Sequence, residues 1–279
     1  MLSWTRCATS SMITAFQGGR RAWGIMSTNA SVFQTPVAPY AVDSKHAIEE
    51  WVNLLSKNKE WSDETKKRDP EYFKMLAQSQ SPPFLYVGCS DSRLPLVSFT
   101  KSGPGNFFVH RNVANQVLIT DINFLSSLEF AVKALKVRHI IVAAHYGCGG
   151  VRASVYGTDS GIITNWVQPI RQLYLQNRTE LDKLSEEELL NRMSEMSAVQ
   201  QVKNLLSTSV MMETLHTAAK ENGQVPTVHG VVIDLSTGII KELPLPIDDW
   251  KKEHLVPETF DNNGYIPPKD GHPFTFNKD

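Results

Sequence analysis

Two thiols and one imidazole stand out as side chains that could bind a metal ion together. Cys89 lies in the string FLYVGCSDSRLP, and His145 and Cys148 lie in the later string HIIVAAHYGCGGV. Zinc sites with four protein ligands are usually structural, whereas three protein ligands and an open fourth position are typical of hydrolytic or hydration chemistry. A fourth ligand is hard to find, since His139 opens its strand too early to reach the same point, and His110 is the other candidate. The set therefore predicts a catalytic zinc site with one Zn2+ per chain.

The same two cysteines could instead form a disulfide. The chain has only three cysteines, and Cys7 lies in an amino-terminal stretch that we expect to be removed. A chain of 279 residues can bury a full hydrophobic core and does not need a cross-link. We therefore expect Cys89 and Cys148 to be free thiols.

An acidic and a basic side chain follow Cys89 closely. Asp91 can accept a hydrogen bond from a water on the predicted metal, and Arg93 can hold that carboxylate in the two-bond geometry that guanidinium favours. Two thiolates neutralise the charge of the dication, so we expect that water to need such help to ionise. Without Arg93, Asp91 is close enough in sequence to bind the metal and close the site. An ordinary salt bridge in a turn is the alternative interpretation of this pair.

Glycines surround Cys148, and we predict that a helix begins near Val151. Backbone N–H groups at a helix start can hold a developing oxyanion, although glycines are also used where the chain geometry is tight. The sequence His110-Arg111-Asn112 is polar at the end of an apolar run. We expect the fold to satisfy the hydrogen bonds of these three side chains.

Three short apolar runs must position these side chains. FLYVG follows a Ser-Pro-Pro turn, NFFVH occupies residues 106–110, and HIIVAAH occupies residues 139–145. Continuously apolar strands separated by helices indicate a parallel sheet with both faces covered. In such sheets the functional site lies at the carboxyl ends of the strands. Because Cys89 follows the first run and His145 closes the third, both halves of the predicted metal site fall at that edge.

Other segments show helical or strand patterns. Ala47, Ile48, Trp51 and Val52 recur at helical spacing after Ser44, which we take as the N-cap. We expect this first helix to pack on a second subunit, or alternatively on the core of its own chain. The remaining predictions are helices at 71–77, from near Asp121, at 163–176 and at 196–221, strands TVHGVVID and GIIKELPL, and an irregular tail over the last thirty residues.

Composition and charge limit the class of protein. The chain is 41% hydrophobic and 20% charged, which is ordinary for a globular protein. No apolar run approaches the length of about 18 residues that suggests a membrane-spanning helix, so we expect no membrane span. A net charge of -1 provides no basic field for nucleic acid, so we expect no nucleic-acid partner. These features favour an enzyme that acts on a small molecule.

The first acidic residue is Asp43, and the stretch before it carries Arg6, Arg20 and Arg21 among many hydroxyl side chains. This composition is typical of a transit peptide. We predict that residues 1–40 are an organellar targeting peptide and flexible leader, and that residues 41–279 form a single domain. The mitochondrion is the predicted destination. A chloroplast leader and a disordered terminus without a targeting role are the alternatives.

The strings CSDSR, FFVHRNVAN, SLEFAV and HYGCGGV, in this order, resemble those of the β-class carbonic anhydrases. The resemblance is strong over roughly residues 70–170, and the motifs are much more specific in combination than singly. It implies an α/β fold with a central mixed sheet that has a parallel core flanked by helices. It also implies an N-terminal helical arm that wraps a partner in a homodimer or a dimer-based higher oligomer.

The resemblance further implies roles for individual residues. It implies zinc bound by Cys89, His145 and Cys148, with Asp91 and Arg93 as a catalytic dyad. It implies that Gln80 lines the substrate pocket from the partner subunit and that the backbone of Gly149 contacts a substrate oxygen. The implied reaction is the reversible hydration of carbon dioxide to bicarbonate and a proton through a zinc-bound hydroxide.

One departure from the family concerns regulation. Some bacterial-type relatives carry a bicarbonate pocket built from a Trp, an Arg and a Tyr, and the corresponding residues here are Tyr86, Arg111 and Lys203. Because two of the three differ, we predict that a closed form with Asp91 on the metal is not favoured and that the site is open at neutral pH.

Other functions remain open from the sequence alone. The same scaffold could hydrolyse carbonyl sulfide or carbon disulfide. A zinc-binding sensor without turnover is a second alternative, although Asp91 and Arg93 argue against it. Nucleophilic catalysis by Cys89 with His145 as base is a third, but it leaves Cys148 without a role.

Overall fold

A five-stranded β-sheet forms the centre of the structure, a computed structural model that describes residues 43–158, 161–220 and 223–266. The strands are β1 Phe84–Cys89, β2 Phe107–Asn112, β3 His139–His145, β4 Thr227–Asp234 and β5 Ile239–Glu242. Their order across the sheet is β2-β1-β3-β4-β5, with the first four parallel and β5 antiparallel to β4. The predicted mixed sheet with a parallel core is therefore confirmed.

Helices flank the sheet. The first four are α1 Ser44–Arg68, α2 Tyr72–Leu76, α3 Leu96–Thr100 and α4 Ile122–Glu129, which a π-helical turn at Phe130–Ala134 continues. The next four are α5 Gly149–Tyr156, α6 Gly161–Trp166, α7 Gln168–Gln176 and α8 Arg178–Leu181. The last three are α9 Glu186–Leu206, α10 Ser209–Lys220 and α11 Ile247–Lys252. A 3-10 turn occupies Val113–Asn115.

Alternate side chains of the strands enter two apolar cores, one on each face of the sheet. Leu85 and Val87 pack in one core with Phe124, whereas Tyr86 packs in the other with Ile170. Burial on both faces explains why the sequences of β1 and β3 are continuously apolar. The edge strand β2 is different, because only His110 among its residues is buried. The expectation that this strand is buried like the others was therefore wrong.

Several helix boundaries differ from the sequence predictions. Asp43 caps α1, since its carboxylate accepts from the N–H of Lys45, so the prediction of Ser44 as the cap was wrong by one residue. The predicted helix at 163–176 is divided at Val167, two residues before Pro169. The predicted helix at 196–221 begins earlier, because Ser185 and Glu188 form a capping box, and it is divided at Thr208.

The apolar side of α1 is exposed in the protomer. Ile48, Trp51, Val52 and Leu55 are between 48% and 63% exposed, and Thr65 is the buried residue of this helix. The alternative that this face packs on the core of its own chain is therefore wrong. A contiguous apolar surface of this kind is typical of a protein interface.

The carboxyl-terminal segment is less irregular than predicted. It contains α11, and Trp250, Val256, Phe260 and Ile266 are all buried in the core around Phe124. Residues 253–266 form turns and bends without regular elements, as expected, but three of their apolar side chains are buried in this core. The prediction of an irregular tail is therefore confirmed for residues 253–266, and wrong for the residues at its start that belong to α11.

Two other sequence predictions concern the ends of the chain and the membrane. The predicted targeting peptide at residues 1–40 lies outside the described residues, and so do residues 267–279. The described residues belong to one compact unit. Among them, no helix has the length and apolar character that crossing a membrane requires.

The burial of Phe260 can be tested by substitution. Phe260 has no exposed surface, so Phe260→Ala should lower the free energy of unfolding by about 3–5 kcal/mol, because it leaves a cavity in the core. Chemical denaturation of the variant measures this difference. Phe130→Ala is the matched control, since Phe130 is 48% exposed and its truncation should cost clearly less. Equal losses in the two variants would contradict the placement of this segment in the core.

Candidate metal centre

The three predicted metal ligands meet at one edge of the sheet. Cys89 ends β1, His145 ends the neighbouring strand β3, and Cys148 is the residue before α5. Their ligand atoms lie within 4.8 Å of one another, and all three residues are at least 95% buried. The parallel pairing of β1 with β3 brings the two strand ends together. The structure therefore brings together the set that the sequence singled out.

The spacing of the ligand atoms fits a zinc ion. The sulfur atoms of Cys89 and Cys148 are 4.0 Å apart. A tetrahedral site with Zn–S distances of about 2.3 Å requires a sulfur separation of about 3.8 Å, whereas a disulfide requires about 2.05 Å. Both cysteines are free, which confirms the prediction made from the sequence.

His145 is oriented toward the sulfur atoms. Its Nδ1 lies 3.0 Å from the backbone carbonyl of Tyr146, which fixes the proton on Nδ1 and leaves the lone pair on Nε2. This Nε2 is buried and has no hydrogen-bond partner in the described part of the chain. A buried nitrogen without a partner is costly, and a metal ion would satisfy it.

The two thiols differ in acidity because they hydrogen-bond to each other. Hydrogen bonds from Cys148 and from the N–H of Ala114 lower the pKa of Cys89, against an opposing effect of burial. The bond with Cys89, together with burial, raises the pKa of Cys148. The pair therefore holds one proton readily and a second one weakly. Since zinc binds cysteine as thiolate, binding would release the remaining proton.

Asp91 and Arg93 form a two-bond pair beside these ligands. Arg93 Nε donates to Asp91 Oδ1 at 2.9 Å, and Arg93 Nη2 donates to Asp91 Oδ2 at 2.7 Å. These bonds hold the pKa of the Asp91 carboxyl well below its usual range, against a smaller opposing effect of burial. Asp91 Oδ2 is 3.9 Å from Nε2 of His145. An ionised carboxylate therefore lies at the rim of the ligand pocket with its orientation fixed.

The start of α5 supplies backbone donors to the site. The backbone N–H groups of Gly150 and Val151 lower the pKa of the Cys148 thiol, against the larger raising effects of Cys89 and burial. Gly149 is the first residue of the helix, and an added Cβ there would meet no atom within 4 Å. A Cβ on Gly150 would instead lie 2.8 Å from the Cβ of Ala114. The absence of a side chain is therefore required by close packing at Gly150, whereas the space beside Gly149 is open.

Gln80 is not brought to this edge. It lies on the exposed stretch before β1, at the amino end of that strand, whereas Cys89 lies at the carboxyl end. A strand of six residues spans roughly 20 Å. Within one protomer, Gln80 is therefore remote from the metal ligands.

The fold satisfies most hydrogen-bonding groups of the polar run that ends β2. Arg111 donates to the carbonyls of Cys89 and Leu94 at 2.8 and 2.9 Å, and Asn112 bonds to the backbone of Gln116. His110 is the exception, because its Nε2 has no partner among the described residues and its ring packs on Phe124. The expectation was right for two of these three residues.

Sequence reasoning missed one residue that contacts the site. The backbone N–H of Ala114 donates to the sulfur of Cys89 at 3.4 Å, and Ala114 has a left-handed backbone with φ of 62°. A methyl side chain gives no sign of such a role. The only signal in the sequence was the polar run that ends two residues before it.

This fold and site define a class of α/β proteins in which two cysteines and one histidine at the carboxyl edge of a parallel sheet could hold a metal ion. A family model described as carbonic anhydrase matches residues 84–240, more than half of the chain. The chain belongs to the β-class carbonic anhydrase family. The predicted fold class and the resemblance stated from the sequence are thereby confirmed.

Individual relatives agree with this assignment. A carbonic anhydrase of Emericella nidulans is 40% identical over 191 residues, which cover 68% of this chain and 82% of the relative. A mitochondrial β-carbonic anhydrase of Arabidopsis thaliana is 32% identical over 188 residues, or 64% of this chain and 62% of the relative. A crystal structure of tetrameric β-carbonic anhydrases from Sordaria macrospora superposes with a TM-score of 0.65 at 34% identity, and it covers 70% of this chain and 97% of its own.

The ligand set can be tested by metal analysis. Wild-type protein should bind one zinc per chain, and Cys89→Ser or Cys148→Ser should remove it, because each loses one of three ligands. Elemental analysis after dialysis against a weak chelator measures the zinc content. The free thiols can be counted in parallel. A Cys148→Ser protein that keeps a full equivalent of zinc would contradict the assignment.

Proposed function

We propose that this enzyme catalyses the zinc-dependent, reversible hydration of carbon dioxide to bicarbonate and a proton. One observation carries the proposal: three buried ligand atoms from Cys89, His145 and Cys148 lie within 4.8 Å beside an ionised carboxylate. Membership of the carbonic anhydrase family supports the reaction. The proposed cofactor is one Zn2+ per chain.

Zinc would supply a Lewis acid that makes a coordinated water acidic, with a pKa of about 7 established for carbonic anhydrases themselves. Asp91 would accept the hydrogen bond of the reacting water at Oδ2, since that oxygen faces Nε2 of His145. Arg93 would keep the carboxylate ionised and turned in one direction, because it binds both oxygens. In this proposal Asp91 and Arg93 act as a catalytic pair.

Substrate contacts are assigned to Gly149 and Gln80. The first N–H of a helix has no partner within its own helix, and the space beside Gly149 is open, so this N–H is suited to a substrate oxygen. Gln80 is too far from the ligands of its own chain, as described above. Its proposed role therefore requires a second copy of the chain that brings Gln80 to the pocket.

A homodimer or a dimer-based higher oligomer follows from two further features. The apolar side of α1 with Ile48, Trp51, Val52 and Leu55 is exposed in the protomer, and the relatives from Sordaria macrospora are tetramers. We propose that α1 is an arm that packs on the partner subunit. Light scattering gives the mass in solution, and a monomer at micromolar concentration would refute this arrangement.

Hydrolysis of carbonyl sulfide or carbon disulfide is the alternative on the same scaffold. Both substrates resemble carbon dioxide in shape, and nothing about Asp91 or Gly149 discriminates against sulfur. Hydrogen sulfide release, assayed beside carbon dioxide hydration on the same preparation, separates the two reactions. Release that is faster than carbon dioxide hydration would favour the alternative.

The mitochondrion is the proposed location. The proposal rests on the basic, acid-free composition before Asp43 and on the similarity to a plant enzyme that is named mitochondrial. Imaging of the full chain fused to a fluorescent protein at its carboxyl terminus checks it. Signal in chloroplasts or in the cytosol would refute it.

The role of Asp91 predicts a specific loss of activity. Asp91→Asn should keep its zinc but lower the rate of carbon dioxide hydration by at least about 100-fold, the range typical of a lost proton acceptor. Stopped-flow hydration and zinc analysis on the same sample measure the two quantities. Asp182→Asn is the control, since Asp182 accepts from Tyr174 and Arg178 in a cluster that does not include the metal ligands. A fully active Asp91→Asn enzyme would refute the assignment.

The pH dependence of activity tests whether the site is open. Lys203 pairs with Glu253, and the Tyr86 ring lies under the Arg111 guanidinium, so the residues at the positions of the regulatory pocket already have protein partners. Because the pKa of Asp91 is lowered, this carboxylate stays ionised from pH 6 to 9 and a single other group should control the rate. We expect a shallow curve with one proton, whereas a steep sigmoidal loss below about pH 8 would indicate a coupled closed form.

A further inference from the structure

A tyrosine–glutamate hydrogen bond lies behind the turn that connects two of the proposed metal ligands. Tyr146 and Gly147 form the turn between His145 and Cys148. The Tyr146 hydroxyl donates to Oε1 of Glu195 on α9 at 2.7 Å. We propose that Tyr146 and Glu195 are positioning residues that hold this turn so that His145 and Cys148 can bind the same ion. The inference rests on the zinc site of the proposed function.

The peptide groups of Tyr146 connect this anchor to the imidazole. The Tyr146 N–H donates to the carbonyl of Ile233 on β4 at 3.0 Å, and its own carbonyl lies 3.0 Å from Nδ1 of His145. That carbonyl sets which nitrogen of His145 carries the proton. A rotation of residue 146 would therefore remove the hydrogen bond that keeps Nε2 available for the metal.

The side chain of Tyr146 is fixed by packing as well as by its hydroxyl. The ring packs on a small buried cluster of Ala144, Ala198, Val232 and Leu243. This cluster joins β3, β4 and α9. Packing of the ring on it therefore fixes the turn relative to the helix. The hydroxyl bond then fixes the end of the ring.

Glu195 is itself held in place by two basic side chains, one on β5 and one on α9 itself. Lys241 on β5 donates to Oε1 at 3.1 Å, and Arg192 donates to Oε2 at 3.3 Å. The carboxylate is only 17% exposed. Burial alone would raise the pKa of Glu195, but the hydrogen bonds from Tyr146 and Lys241 outweigh it and the pKa is lowered. An ionised carboxylate with a fixed orientation is a strong hydrogen-bond acceptor for the Tyr146 hydroxyl.

The opposite side of the same turn is held by the catalytic pair. Arg93 Nη2 donates to the carbonyl of Gly147 at 3.2 Å, and Gly147 has φ of 67°, which suits glycine. The turn is thus held on its pocket side by Arg93 and on its helix side by Glu195 through Tyr146. Loss of either contact frees one side of a turn that carries two of the three ligands.

The chain offers a matched control for this contact. The Tyr174 hydroxyl donates to Asp182 at 2.6 Å, and Arg178 also binds that carboxylate. This second tyrosine–carboxylate–arginine cluster joins α7 and α8 and involves none of the metal ligands or their turn. Tyr174→Phe therefore removes a similar bond without touching the turn.

The test measures zinc release from the holoenzyme. Tyr146→Phe and Glu195→Gln should each release zinc to a competing chelator about 3- to 10-fold faster than wild type, less than the change of roughly 10- to 100-fold expected for a group that bonds a ligand directly. The double variant should be no faster than either single variant, because both remove the same contact. Tyr174→Phe should release zinc at the wild-type rate. The visible spectrum of the Co2+-substituted protein should change in the first two variants only.

The possible results separate the two levels of the hypothesis. If wild type binds zinc but Tyr146→Phe and Tyr174→Phe release it at the same rate, the positioning role is wrong and the proposed function stands. Additive effects in the double variant would also overturn the positioning role. If wild type binds no zinc at all, the proposed function fails and this inference fails with it. Glu195→Gln keeps the tyrosine ring in its cluster, so it provides the answer if Tyr146→Phe does not fold.

Discussion

The site depends on the parallel pairing of β1 with β3. In this register Gly88 lies opposite Ala143, so the two strands end almost together and Cys89 and His145 leave the sheet at the same edge. The register is fixed from both faces, because Val87 and Val142 fill one core while Tyr86 fills the other. A slip by one residue would exchange the faces of every side chain. Apolar packing on two sides thus determines where the thiol and the imidazole meet.

A close contact beneath Cys89 adds to this constraint. A Cβ on Gly88 would lie 2.2 Å from the Tyr86 ring, so only glycine allows the tyrosine to fold back under the strand end. The Arg111 guanidinium lies over that ring and donates to the carbonyl of Cys89. The backbone of the first ligand is therefore held by an arginine that does not contact the metal pocket. The second ligand strand is held differently, through the turn that follows it.

The sequence predicted the parts of the structure that depend on side-chain type. The bounds of β3 at 139–145 were predicted correctly, because a continuous apolar run is closed by a polar residue at each end. The start of α9 was missed, since its first turn is acidic and is fixed by the capping box of Ser185 rather than by apolar spacing. The burial of Phe260 was missed because an irregular segment shows no periodicity, although its side chains fill the core.

The same distinction applies to the site. Cys89, His145 and Cys148 could be predicted because few side chains bind zinc, and the structure brings all three together. Ala114 could not be predicted, because its contribution is a backbone N–H aimed by a left-handed conformation. The position of Glu195 could not be predicted either, since α9 is distant in sequence from the turn it contacts. Backbone donors and contacts between remote elements leave little trace in residue type.

Arg93 connects the Asp91 carboxylate to the turn between His145 and Cys148. Its guanidinium makes two hydrogen bonds with Asp91 and a third with the carbonyl of Gly147. The same guanidinium therefore holds both the Asp91 carboxylate and the turn between His145 and Cys148, so the orientation of the carboxylate and the shape of the turn support each other. Because Arg93 is 58% exposed, solvent screens its charge, and the geometry of its planar donors matters more here than the charge itself.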